Sequence, residues 1–207
     1  MHFLKYIIKK EGFKMGTTIP IKSKRKLVEF RNYYRDVNYN PRNYALIVLG
    51  LNSALRIGDI LALRWEDVYI QEKKKYREHI SIIEKKTGKR NVLAINAPTQ
   101  EALEFYRKSI TTFKQKSFIF ISQKRPYNGI SRSQAFRIIK KAAGHCGMDS
   151  HISCHSLRKT FGYFAWQNGI PPALLMSIYN HSSYDITKRY LCIDQIEKDQ
   201  VYLETFL

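Results

Sequence analysis

The chain has 207 residues, 44% of them hydrophobic, which places it among globular proteins and excludes a disordered polymer. Lys and Arg number 36 against 17 Asp and Glu, a formal charge of +19, so the surface repels itself unless it meets a polyanion, and nucleic acid is the commonest one. No apolar run approaches the ~18 uninterrupted residues of a membrane helix, and three cysteines give no disulfide framework, so a cytoplasmic, nucleoid-associated protein is expected.

The charge is unevenly placed. Residues 1–150 carry 31 basic and 12 acidic side chains, whereas residues 151–207 carry 5 of each. A basic surface kept for solubility is the alternative to a nucleic-acid partner. Along the chain, Met1 to Lys10 is apolar but cut by Lys5, without the small-residue cleavage site of a secretory signal. Lys10-Glu11-Gly12-Phe13-Lys14-Met15 can be encoded by an A/G-rich, ribosome-binding-like stretch ahead of an ATG, so Met15 is read as the natural start and residues 1–14 as a leader. Residues 1–19 are set apart as an N-terminal extension. No linker, repeat or low-complexity tract divides residues 20–207, which are read as one domain.

Asn40-Pro41 opens a helix, with Asn40 as N-cap, that runs through apolar Ala45 to Leu51. After a turn near Asn52 to Leu55, Ile60, Leu61 and Leu63 continue a second helical run. Val68 to Ile70, His79 to Ile83 and Asn91 to Ile95 read as strands, the last two joined across Lys86-Thr87-Gly88-Lys89, where glycine serves the turn. Helix returns after Pro98 through Leu103, Tyr106 and Ile110. Ser131 with Gln134 is a capping box for a helix reaching about Ala143. His155 to Asn168 sets Leu157, Phe161, Phe164 and Ala165 on one face, ending at Gly169 before Pro171 and Pro172 open the next helix. Ser182 with Asp185, and Asp194 with Glu197, mark two further starts. The expected class is α+β, mainly α-helical, with one small antiparallel sheet between the helices.

Several segments could carry chemistry. His155 and Arg158, at i and i+3, can grip adjacent oxygens of one phosphate or form an ordinary surface pair. Arg56 follows an apolar helix, with Asp59 three residues on to orient it or to make an exposed ion pair. Lys85, Lys86, Lys89 and Arg90 make a basic hairpin tip suited to DNA, or a solvated loop. Tyr190, on the helix after His181, reads by frequency as a packed core tyrosine when taken alone. His145, Cys146, His151, Cys154 and His155 fall close together, but match no paired zinc-ligand spacing, and no metal or other cofactor is expected.

Taken together, five segments resemble the catalytic domain of the tyrosine recombinase (phage integrase) family, over roughly residues 20–200. The first arginine box appears as Ala54-Leu55-Arg56-Ile57-Gly58-Asp59-Ile60-Leu61-Ala62-Leu63-Arg64-Trp65-Glu66-Asp67, and the hairpin lysine lies in Lys86-Thr87-Gly88-Lys89. The second arginine box is His155-Ser156-Leu157-Arg158-Lys159-Thr160. Asn180-His181-Ser182-Ser183 stands for G-H-S-S, and Tyr190 lies nine residues past His181, in the place of the family's nucleophile.

The resemblance implies strand exchange without a cofactor. In that reading Arg56, His155, Arg158 and His181 surround the scissile phosphate, and Tyr190 attacks to form a 3′-phosphotyrosyl link with His155 helping its proton away. Lys86 is then the general acid for the leaving 5′-hydroxyl, on double-stranded DNA, by a tetramer in the synapse. The rival readings are a non-catalytic DNA-binding accessory factor and a type IB topoisomerase-like relaxing enzyme. Asp59 stands where glutamate is usual, Asn180 where glycine is usual, and only 55 residues precede Arg56, so a catalytic domain alone is expected. From about Asp194 a tail helix with Ile196, Val201, Tyr202, Leu203, Phe206 and Leu207 offers apolar anchors, for a neighbouring protomer or for its own body.

Overall fold

A computed structural model describes residues 18–122, 128–148 and 151–205. Residues 1–14, the expected leader, with Met15, Phe206 and Leu207, lie outside the described residues. The first helix, α1 (Lys24–Asn32), starts where the Ser23 hydroxyl accepts from Lys26 N–H, and runs into a π-helical turn, Tyr33–Val37. It is absent from the sequence expectations. Its lysines, arginines and glutamate break up the apolar stripe of Leu27, Phe30 and Tyr34, although Phe30 and Tyr34 are buried.

Asn40 caps α2 (Pro41–Asn52) by accepting from Asn43 N–H at 3.0 Å. Ala45 to Leu49 are at most 1% exposed, so α2 is apolar all round and sits in the middle of the molecule. The helical run expected at Ile60 to Leu63 lies earlier in the chain: α3 is one turn, Ile57–Ile60, that leaves Leu61 and Leu63 past its end and is followed by a 3-10 turn at Trp65–Asp67 where the Asp67 carboxylate accepts from Arg64 N–H.

The single sheet expected is instead two separate two-stranded ones. β1 (Tyr69–Ile70) pairs antiparallel with β2 (Lys75–Tyr76), a strand hidden in the sequence by the run Lys73-Lys74-Lys75. β3 (His79–Ile83) pairs with β4 (Arg90–Ala94), from His79 opposite Ala94 to Ile83 opposite Arg90, so residues 84–89 form the hairpin turn. Gly88 sits there at φ +67°, the left-handed conformation that costs glycine least.

Helices complete the body: α4 (Ala97–Lys108), α5 (Arg132–His145), α6 (Cys154–Gln167), α7 (Pro172–Tyr179), α8 (Tyr184–Leu191) and α9 (Gln195–Glu204). Their caps follow the sequence closely, with capping boxes at Ser131/Gln134 and Asp194/Glu197. One differs: α8 is capped by Ser183, not Ser182, through a bond from Ile186 N–H. Against one side of α2 pack Leu103 of α4, Trp65, Ile119 and Phe120; against the other, Phe30, Ile139 of α5 and Leu157 of α6. Each such large apolar side chain contributes about 1.5–3 kcal/mol on burial. Leu175, Tyr179, Leu191 and Ile193 form a third cluster under α6, with Tyr190 at its edge.

Candidate active site

The site is assembled where the turn before α3, the β3–β4 hairpin and helices α6 to α8 meet. A cleft of about 890 Å³ opens there, lined by Arg56, Lys85, Lys86, Arg132, Arg137 and His155 among others. Arg56 precedes α3 in extended conformation and its Nη1 donates to Glu84 Oε2 at 2.6 Å. Asp59, expected to brace Arg56, does not: its Oδ1 accepts from Lys85 N–H at 3.0 Å, anchoring the hairpin, while its Oδ2 is buried without a partner. One turn of helix turns the short Asp59 side chain toward the hairpin, and the longer glutamate at the head of that hairpin reaches the guanidinium instead. Burial pushes the Glu84 carboxyl up, but hydrogen bonds from Thr87, Arg56 and Asn91, with the Arg56 charge, outweigh it and hold the group below the usual carboxylate range.

Arg158 is buried on α6, and its guanidinium is held from three sides. Nη1 donates to the carbonyl of Ala54, Nη2 reaches Tyr179 O at 3.4 Å, and the group lies 4.6 Å over the Tyr179 ring. Ala54 takes φ +53° to present that carbonyl. Tyr179, at the end of α7, donates its hydroxyl to Arg158 O at 2.7 Å and stacks on His181 with centroids 5.4 Å apart. Such close packing needs Gly162: a Cβ there would lie 2.4 Å from Tyr179 Oη and 2.6 Å from Leu191 Cδ2. Asn180 caps α7 at φ 54°, ψ 42°, so this asparagine adopts the left-handed turn that glycine serves in the family pattern, and His181 N–H closes it on Met176 O at 3.0 Å.

Tyr190 lies in the last turn of α8. Its ring meets His181 edge-on at 5.2 Å and Tyr179 at 5.3 Å, and the Lys159 ammonium sits 5.0 Å over its centroid. Burial holds the Tyr190 phenol above its usual value, and the cations Arg158 and Arg56 offset this only in part. The two imidazoles are held below their usual value: His155 by desolvation and then by Arg158, Lys159, Arg56 and Lys86, and His181 by desolvation, Arg158 and Arg56. His181 Nδ1 lies 3.0 Å from Thr187 Oγ1. His155 is exposed to the cleft and, being largely neutral near pH 7, has a lone pair with which to accept a proton.

Arg158 and Arg56 thus link the group: their charges act on His155, His181 and Tyr190, the His181 and Tyr190 rings touch, and Lys85 and Lys86 line the same cleft as Arg56 and His155. Lys89 and Arg90 are exposed farther along the hairpin, where Arg90 Nε bonds Ser81 Oγ at 3.2 Å. Sequence reasoning missed Glu84, Tyr179 and Lys159. The only signals were a carboxylate two places before Lys86, an aromatic two before His181, and a lysine beside Arg158 that turns out buried, donating to Thr18 O at 2.7 Å. Among the described residues no group of three or more His, Cys, Asp or Glu gathers around a point.

The sequence profile of the phage integrase family matches residues 23–195. The chain belongs to that family. It is 41% identical over 177 residues to the probable integrase/recombinase YoeC of Bacillus subtilis (strain 168), covering 85% of this chain and 90% of YoeC. The fold is that of tyrosine recombinase catalytic domains: the crystal structure of XerA recombinase superposes with a TM-score of 0.72 at 18% identity, over 95% of this chain and 66% of that one. XerH site-specific recombinase, bound to palindromic difH substrate in a post-cleavage complex, gives 0.67 at 17% identity, over 94% of this chain and 54% of XerH. Membership places this tyrosine recombinase among the DNA breaking and rejoining enzymes of site-specific recombination, with DNA as its partner.

Proposed function

We propose that this recombinase exchanges DNA strands through a 3′-phosphotyrosyl intermediate on Tyr190. The Tyr190 oxygen bonds to phosphorus as the bond to O5′ breaks; the phenol proton passes to His155 and the Lys86 ammonium protonates O5′. Arg56, Arg158 and His181 stabilise the negative charge that grows on the non-bridging oxygens. Attack by the 5′-hydroxyl of another strand reverses the step, so the ester keeps the bond energy and no nucleotide or metal is consumed. Asp59 supports the hairpin, and Lys85, Lys89 and Arg90 bind the DNA backbone. The single observation that carries this reading is the set of cations around the Tyr190 phenol: the Arg158 and Arg56 charges act on it and the Lys159 ammonium lies over its ring.

Residues 20–207 act as one catalytic unit that meets its copies on DNA as a tetramer at the nucleoid. Supporting assembly, Ile196, Val201, Tyr202 and Leu203 of α9 are 62–82% exposed, while Glu197 of the same helix is buried against Lys22 and Tyr163. The helix is therefore rooted in its own body with an uncovered apolar face.

Duplexes of randomised sequence, nicked near the centre so that the cleaved strand falls away, test the proposal. An SDS-resistant adduct that survives EDTA, is lost in Tyr190→Phe and passes its strand to a second duplex is expected. Binding without an adduct marks an accessory factor, and relaxation without joining between duplexes a topoisomerase; either outcome overturns the reading.

A further inference from the structure

Glu84 is a carboxylate buried in the wall of a phosphate-binding cleft, where its charge opposes that of DNA and would be costly if unpaired. Both its oxygens are engaged. Oε2 accepts from Arg56 Nη1 at 2.6 Å and from Thr87 Oγ1 at 2.7 Å, and Oε1 accepts from Asn91 Nδ2 at 3.1 Å. Its backbone closes the same turn, with Glu84 N–H donating to Lys89 O at 2.9 Å and Gly88 N–H donating to Glu84 O at 2.9 Å. Lys86 sits inside that loop, next to Thr87, and reaches the cleft. One side chain therefore ties the arginine before α3 to the tip and the far strand of the hairpin.

We propose that Glu84 is a positioning residue that joins the Arg56 phosphate clamp to the Lys86 hairpin, so that the carboxylate orienting the guanidinium also aims the ammonium at the leaving O5′. The inference rests on the recombinase reading above and deepens it. Glu84 is not itself the acid: its oxygens accept three hydrogen bonds and it stays ionised. It acts by restricting where Lys86 can go, which matters because proton transfer demands hydrogen-bond reach to the oxygen that departs.

The test compares two duplexes of the captured sequence that differ only in the leaving atom of the cleaved phosphate, 5′-oxygen or 5′-sulfur. A thiol ionises near ~8.5, so a thiolate leaves without the proton an alkoxide requires. A general acid contributes roughly 10²–10⁴-fold, so Glu84→Gln is expected to slow single-turnover adduct formation about tenfold or more on the oxygen substrate. On the sulfur substrate Lys86→Ala is expected to approach the wild-type rate, and Glu84→Gln to recover the part of its loss that passes through Lys86 while keeping the part that passes through Arg56. Thr87→Val, at an exposed position that leaves the Arg56–Glu84 pair intact, is expected to show a smaller loss with the same recovery, and keeps the test open should Glu84→Gln fold poorly. Equal slowing of the variants on both substrates, or slowing on neither, overturns the coupling. If the wild type forms no adduct on either substrate, the recombinase reading fails and the coupling falls with it.

Discussion

Tyr190 has to lose a proton that a free phenol holds to about pH 10, and its partial burial makes the loss harder. The cations that counter this also act on His155, whose pKa is held down by desolvation and by Arg158, Lys159, Arg56 and Lys86. A depressed imidazole is neutral above its pKa and protonated below it, so proton acceptance is available at neutral pH and lost on acidification. The pH profile of kcat/KM for adduct formation is expected to be flat near neutrality and to fall only below the ordinary imidazole value of about 6.5, and His155→Gln is expected to remove that acid limb. A limb centred above that value contradicts the assignment. Two neighbouring backbone positions make a stability test. Asn180, where the family pattern has glycine, and Ala54 both take positive φ, but of the two only asparagine tolerates it at little cost. Ala54→Gly is expected to stabilise the chain by about 1 kcal/mol in denaturant unfolding, while Asn180→Gly changes little.

Helices α6, α7 and α8 carry most of the site, and their spacing depends on Gly162, whose missing Cβ leaves room for Tyr179 and Leu191. Gly162→Ala is expected to cost about 1–3 kcal/mol of stability by overpacking. It should also slow adduct formation, because Tyr179 is the ring on which Arg158, His181 and Tyr190 converge. An unchanged melting temperature and rate would show that the helices part freely. The helices with a strong local signal could be read in the sequence: Asn40-Pro41, Ser131 with Gln134 and Asp194 with Glu197 are chemical statements about chain ends that need no tertiary context. α1 and β2 could not, because their interrupted apolar patterns acquire meaning only when packed on the rest of the core. The same division holds in the site. The residues proposed to meet the phosphate are recognisable as types at fixed spacing, whereas the Arg56–Glu84 pair joins positions 28 residues apart through a hairpin fold. Asp59 illustrates the difference: its spacing placed it beside Arg56, and the direction of one helical turn placed its carboxylate on the Lys85 amide instead.

Charge organises the molecule as a whole. The excess of +19 resides in residues 1–150, which include the hairpin and α5, while the portion bearing Tyr190 and the tail is neutral. Binding to duplex DNA is therefore expected to weaken steeply with salt, log K falling by about 0.9 per phosphate neutralised for each tenfold rise in salt, and Lys89→Ala with Arg90→Ala is expected to make that slope shallower. An unchanged slope would remove those two side chains from the interface. For the tail, whose proposed role is assembly, Tyr202→Asp with Leu203→Asp is expected to leave a folded chain that binds DNA but no longer forms higher complexes in sedimentation on it. Everything in the account converges on one covalent bond, which mass spectrometry can find directly. After nuclease and tryptic digestion of the trapped adduct, the peptide Tyr190–Lys198 is predicted to carry the added nucleotide mass on Tyr190. A nucleotide on any other side chain, or its absence from every peptide of a protein that has cut DNA, would contradict the account.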